Sequence, residues 1–266
     1  MTRSYLCVSS MSSYIYATYG HKMVSSWAAS WQNVNATLVV CFDDTIPADF
    51  PTQPNIHAFS LLPAVPTCSA FQARHQSPIC SGRFDSTYSY RHDAKKFAFK
   101  VASVFCLGLY GRNHGFPPHN TLVWLDADTM WLQPMTDAFL EERFPPGTHV
   151  ATFPRENYHS ECGIVFYDLS SPLVIRFLET YWHLYTSDRI FMLPSWTDCD
   201  ALDVLVDHFT KTCPEFRFGN LGTEASRRTG HPIVNSPWVA YVDHLKGARK
   251  QAGASYVSDK VLELTP

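Results

Sequence analysis

Two acids one residue apart close an apolar run, Leu122-Val123-Trp124-Leu125-Asp126-Ala127-Asp128. The run reads as a buried strand. Its last side chains emerge at the carboxyl end, where open α/β sheets bind their ligands. In an extended chain residues i and i+2 point the same way, so Asp126 and Asp128 are expected to face one crevice. Adjacent carboxylates repel unless a cation lies between them, which makes the pair a candidate metal site. A second pattern is His244, Gly247 and Lys250, spaced H-x-x-G-x-x-K. Glycine lets a backbone N–H approach an anion closely, lysine binds phosphate as a point charge, and His244 can supply a third ligand. Carboxylate plus imidazole suits Mn²⁺ better than Mg²⁺, which prefers all-oxygen octahedra, so Mn²⁺ is expected and Mg²⁺ is the alternative. The two patterns combine into one ion bridging a diphosphate, with the Gly247 amide and Lys250 on the same phosphates. Such a set stabilises a leaving group whose negative charge grows in the transition state. Taken singly, the acids could be a solvated turn and His244 a satisfied core histidine. The apolar strand and the second pattern together favour the site.

The elements that would position these residues follow from period and punctuation. Tyr5–Val8 and Thr37–Phe42 read as strands, and Ile56–Leu62 as a weaker one. The first strand runs into Ser9, Ser10, Ser12 and Ser13, a small polar ligand loop that includes Ser9 as a binding candidate. The second ends in Asp43-Asp44. Apolar residues at Met23, Val24, Trp27, Ala28 and Trp31 space a helix over 19–31. Phe97, Val101, Val104 and Phe105 space another over 91–109, with Arg91, Asp93, Lys96 and Lys100 as its charged cluster. The Pro/Ser/Cys/Gly stretch 63–87 reads as a long surface loop. Beyond the acids, Thr136 can cap a helix through Glu142. Strands are expected at 149–153 and 164–167 and helices at 172–185 and 196–209, and the segment 236–243 ends in Val-Asp. The alternation of strands and helices predicts one α/β domain, Rossmann-like, with a central, mostly parallel, twisted sheet flanked by helices. Residues 1–130 would form a nucleotide-binding half, 131–250 an acceptor and catalytic half, and 251–266 a tail.

Bulk properties narrow the field. Of 266 residues, 45% are hydrophobic and 17% charged, enough apolar surface for a sizeable core. The net charge of −3 argues against a nucleic-acid surface, which needs a basic stripe. No signal peptide, membrane span or anchor is read, so a cytoplasmic protein is expected. The eight cysteines include no C-x-x-C, so the spacing does not point to a zinc cluster; free thiols are expected, with Cys68 and Cys80, which flank the Pro/Ser-rich loop, able to pair if oxidised.

The motifs Leu-Asp-Ala-Asp at 125–128 and His-x-x-Gly-x-x-Lys at 244–250 resemble those of the retaining nucleotide-sugar transferases of the glycogenin and lipopolysaccharide galactosyltransferase family. Between them, Glu161-Cys162-Gly163-Ile164-Val165 resembles that family's Asn-Ser/Ala-Gly-Val segment. Asp198-Cys199-Asp200-Ala201-Leu202-Asp203 resembles its Asp-Gln-Asp-x-Leu-Asn segment. The resemblance implies a GT-A fold, Mn²⁺, a UDP-sugar donor and a glycan or other hydroxyl acceptor. It implies Asp126, Asp128 and His244 as metal ligands. Ser9, Asp43, Asp44, Arg91, Lys100, Ala127, Gly247 and Lys250 would lie on the donor, and Asp198, Asp200 and Glu161 around the reacting carbon. Trp131, Trp196 and Trp238 offer faces for sugar stacking, or for the core. The chain departs from the pattern at Glu161 for Asn and Cys199 for Gln, and no Pro-Trp follows Lys250. These departures leave open retention against inversion and which residue is catalytic. Two rivals are a phosphatase with Asp126 as nucleophile, disfavoured by Met130 and the mid-chain position, and a non-catalytic sugar-nucleotide or glycan-binding domain.

Overall fold

A computed structural model of the chain describes residues 3–85 and 87–261; residues 262–266 of the expected tail lie outside them. The first apolar runs form β1 (Tyr5–Met11) and β2 (Ala36–Phe42), buried almost throughout. Between them lie α1 (Ser13–Ile15), a π-turn at Tyr16–Gly20 and α2 (His21–Ser30). β3 (Ile56–Ser60) is shorter than expected because Leu61 opens α3 (Leu61–Ala64). The stretch 63–87 is not a long loop. It holds α4 (Pro66–Arg74) and a small hairpin of β4 (Arg83–Phe84) and β5 (Thr87–Tyr88). Pro66 opens α4, where its missing N–H has no helical partner to lose. Only Cys68 and Phe71 of α4 turn inward, too few for the helical period to stand out among Pro, Ser and Gln.

The rest follows the expected order with shifted ends. α5 (Ala94–Tyr110) starts later than Arg91, because the Asp93 carboxylate caps it by accepting from the Lys96 amide. β6 (Thr121–Leu125), β7 (Thr129–Trp131), α6 (Asp137–Arg143) and β8 (Val150–Phe153) come next. β9 (Glu161–Asp168) includes Glu161, Cys162 and Gly163, which the sequence places ahead of the strand. α7 (Pro172–Thr186), α8 (Asp198–Thr212), β10 (Phe218–Asn220), β11 (Val242–His244) and α9 (Arg249–Ala252) complete the series. α8 opens at Asp198 rather than Trp196, since the Thr197 side chain caps it through the Asp200 amide.

Seven strands form the central sheet in the order β10-β8-β9-β6-β1-β2-β3. β3, β2, β1 and β6 are parallel, as are β10 and β8; β9 runs against both of its neighbours. The chain is thus mixed α/β with a mostly parallel central sheet flanked by helices, the class the sequence predicts. Alternate residues of β1 and β2 feed opposite faces. Leu6, Val8, Val39 and Cys41 pack with α4, α5, α7 and α8, whereas Tyr5, Cys7, Leu38 and Val40 pack with α2 and Trp131. Strands covered on both faces read as unbroken apolar runs, which is why they stand out in the sequence. Among the described residues no helix is long and apolar enough to cross a membrane.

Candidate functional site

Asp126 and Asp128 sit where β6 ends, but not on extended chain. Residues 126–129 form a tight turn into β7, with the Thr129 amide and hydroxyl both donating to the Asp126 carbonyl, at 3.1 and 2.9 Å. The carboxylates converge because the chain turns, not because of strand alternation. β7 pairs antiparallel with β11, and the register sets His244 opposite Thr129. The Leu245 amide then donates to the Asp128 carbonyl at 2.9 Å. This three-residue ribbon carries the imidazole to the acids from more than a hundred residues away. His244 Nε2 lies 3.1 Å from Asp128 Oδ1 and 3.5 Å from Asp126 Oδ2. One donor atom from each of Asp126, Asp128 and His244 falls within 4.8 Å of the others.

His244 is held from three sides. Its Nδ1 lies 3.4 Å from Glu161 Oε1, and the backbone carbonyl of His244 accepts from His231 Nε2 at 2.9 Å. Gly163 of β9 lies under it, and a Cβ added there would stand 2.5 Å from His244 Cε1. Gly163 is therefore a glycine for want of room, not for its backbone angles. The antiparallel course of β9 brings Glu161 and Gly163 to the sheet edge where β6 ends, and the Asp126 amide donates to the Gly163 carbonyl at 2.8 Å.

Four cations surround the acids. Lys250 Nζ lies 2.8 Å from Asp128 Oδ2 and donates to the Tyr19 hydroxyl at 3.3 Å. Lys100, on α5, is buried; its ammonium meets Asp126 Oδ1 at 3.0 Å, Asp198 Oδ2 at 2.6 Å and the Cys162 carbonyl at 2.7 Å. Lys246 pairs with Glu161 Oε2, and Arg155 Nη1 approaches the same oxygen at 3.9 Å. The Trp124 indole N–H donates to Asp126 Oδ1 at 2.6 Å.

These contacts decide the ionisation states. Burial would raise the Asp126 carboxyl, but Lys100 and then His244 hold it well below the ordinary range. Burial likewise opposes charge on Asp128, and His244 overrides it. Burial disfavours imidazolium at His244, yet Asp128, Asp126 and Glu161 raise it to about 10. Against burial, Lys246 and His244 bring Glu161 down to about 2. Burial also opposes the charges of Lys100 and Lys250; Asp126 and Asp198 outweigh it for the first and Asp128 for the second, so both stay raised.

The remaining candidates divide. Ala127 lines a small pocket with Asp128, Lys250 and Tyr19. Gly247 adopts φ +56° with nothing within 4 Å of an added Cβ, so it serves backbone conformation. Asp200 Oδ2 accepts from Ser195 and Thr197 hydroxyls at 2.8 and 2.6 Å, so this acid is tied into the cap of α8. Asp44 accepts from the Ser13 amide and hydroxyl, at 2.8 and 2.6 Å, and anchors the turn after β1. Asp43 is half-buried; burial and then Asp44 push it up to about 6. Ser9 lies within β1, which runs on to Met11, and not in a loop after it; it is fully buried, and its hydroxyl has no hydrogen-bond partner among the described residues. Arg91 is exposed in the turn Tyr90–His92, where its carbonyl accepts from the Trp196 amide at 2.7 Å. Trp131 and Trp238 are core residues, and Trp196 packs against His92 and Phe191. Sequence reasoning missed Trp124, Tyr19, Lys246, Arg155 and His231. Trp124 had a signal, being two residues before Asp126, and Lys246 sits two after His244. The others are distant in sequence and carry none.

Two solved structures align with most of the chain at low similarity. Mouse xyloside xylosyltransferase 1, in its apo form, aligns with a TM-score of 0.46 and 13% identity over 92% of this chain and 97% of that one. A glycosyltransferase involved in the glycosylation of the major capsid of PBCV-1 aligns with a TM-score of 0.47 and 11% identity over 94% and 99%. No protein-family model and no curated protein matches the sequence.

Proposed function

We propose that the chain is a metal-dependent glycosyltransferase that moves a sugar from a nucleotide-diphosphate donor, a UDP-sugar, to a hydroxyl acceptor with retention. The observation that carries this reading is the convergence of Asp126, Asp128 and His244 on one point, with Lys250 on the same carboxylate. Two carboxylates and an imidazole are a donor set fit for Mn²⁺, with Mg²⁺ as the alternative. Bound there, the ion would neutralise charge on a departing diphosphate.

The chain's own residues do the rest in this reading. Lys250, now on Asp128, and the Gly247 amide would hold the diphosphate of a bound donor. Ala127, Asp43 and Arg91 would lie on the nucleoside side, with Ser9, buried, and Asp44, anchoring the turn after β1, supporting that wall from behind. Lys100 keeps Asp126 ionised and fixes Asp198 beside it, with its ammonium directed into protein. Glu161, held at about 2, is too weak a base to take a proton at neutral pH. Its part is to orient His244 and stabilise positive charge at the reacting carbon. Asp200, half-buried in the cap of α8, is left as the acid for the donor sugar or the incoming hydroxyl, whereas Asp198, buried against Lys100, acts only through that lysine.

A panel of UDP- and GDP-sugars with Mn²⁺, scored for slow donor hydrolysis, tests the proposal without knowledge of the acceptor. UDP release that requires Mn²⁺ and disappears in Asp128→Ala supports it. Full activity in Asp128→Ala, or Mn²⁺-independent phosphate release from phosphomonoesters, refutes it.

A further inference from the structure

The eight cysteines are free thiols, and most are packed as small apolar side chains. Cys162 and Cys199 keep different company. Cys162 lies on β9 and Cys199 in the first turn of α8, and their sulfurs and an Asp198 carboxylate oxygen all fall within 4.8 Å of one another. Cys162 and Asp198 are each 1% exposed. Cys199 Sγ is 3.7 Å from Asp198 Oδ1, and Cys162 Sγ is 3.7 Å from the Ser160 carbonyl.

The distances suit a tetrahedral ion. Metal–sulfur bonds of about 2.3 Å and metal–oxygen bonds of about 2.0 Å put sulfur and oxygen about 3.5 Å apart at the tetrahedral angle. The observed 3.7 Å is close to that edge. A buried charge must be compensated, and here it is. Lys100 takes Asp198 Oδ2 and leaves Oδ1 for the ion. Two thiolates and one carboxylate then balance one ammonium and one dication.

We propose that Cys162, Cys199 and Asp198 bind one thiophilic divalent ion of the zinc class, with water in the fourth position, at a site distinct from the Asp126–Asp128–His244 cluster. Binding forms two metal–thiolate bonds and releases two thiol protons to solvent. The ion joins the start of α8 to β9. The proposal stands independently of the glycosyltransferase reading.

The full-length protein, reduced with a phosphine and stripped by chelator, is titrated with Co²⁺, whose thiolate bonds absorb in the near-ultraviolet. One thiolate-bound Co²⁺ per chain is expected, bleached by Zn²⁺. Cys162→Ser and Cys199→Ser should each weaken it on the order of 100-fold. Asp128→Ala should keep the absorption, which separates this site from the other cluster. Circular dichroism checks each fold, and half-buried Cys199 is the safer of the two cysteine substitutions. Absence of the thiolate band overturns the proposal. So does its persistence in Cys199→Ser, or recovery of a Cys162–Cys199 disulfide from protein that takes up no metal.

Discussion

Two ligand clusters share one lysine and differ in almost everything else. Asp126, Asp128 and His244 gather on a turn and a ribbon at the mouth of the sheet, with oxygen and imidazole donors in a cationic surround. Cys162, Asp198 and Cys199 gather where a strand meets a helix start, with sulfur donors behind Lys100. The first carries more negative charge than its burial tolerates without cations, and Lys250, Lys100 and a raised His244 supply them. The second can wait as neutral thiols; burial pushes Cys162 up. An ion at the first cluster therefore displaces cations already present, whereas an ion at the second displaces protons from sulfur.

Lys100→Met tests the shared element and should have the largest effect. Removing one partner of a buried pair leaves Asp126 and Asp198 uncompensated, at a cost of about 3–5 kcal/mol. Urea denaturation measures it, and a loss under 1 kcal/mol would show the two clusters to be uncoupled. Asp128→Ala should lower Mn²⁺-dependent turnover by about 100-fold or more while sparing Co²⁺–thiolate absorption. Gly163→Ala pushes on the His244 ring and should weaken Mn²⁺ by about 10- to 100-fold, read by electron paramagnetic resonance of the free ion. Unchanged affinity would mean that the imidazole is no ligand.

The pH dependence sharpens the contrast. His244 is raised from 6.5 to about 10, so it is protonated in the metal-free protein at neutral pH. Its contribution to metal-free stability is fully present below about 6.5 and is lost as pH rises through 10. A ligand must be neutral imidazole, so Mn²⁺ binding releases that proton, and apparent affinity should rise about tenfold per pH unit from 7 toward 10. Calorimetry in two buffers of different ionisation enthalpy counts the proton; zero released would contradict the assignment. Asp44→Ala, which removes only the anchor of Ser13, should cost about 1 kcal/mol and leave both clusters intact, as thermal melts and Mn²⁺ titration would report.

What the sequence disclosed follows the same division. β1, β2 and β6 were legible because parallel strands buried on both faces leave unbroken apolar runs. Asp126, Asp128 and His244 were legible as motifs, though the turn that brings the acids together was not. α4 stayed hidden because two inward residues make no visible period. The sulfur cluster stayed hidden because its members meet across 36 residues with no C-x-x-C to mark them. Residue type alone also leaves roles undivided: Asp44 and Asp200 accept hydrogen bonds within a turn and a cap, and sequence cannot tell such contacts from ligand contacts.

The ribbon of β7 and β11 is only three residues long, and so short a pairing gives little backbone preference for one alignment. Its neighbours supply the missing discrimination. A shift of β11 by one residue turns alternate side chains over and would present Asp243, now bonded to Ser255, to Asp126 and Asp128 in place of His244. Three crowded anions would expel the misaligned strand, so mutual repulsion proofreads the last piece of the pocket as it docks.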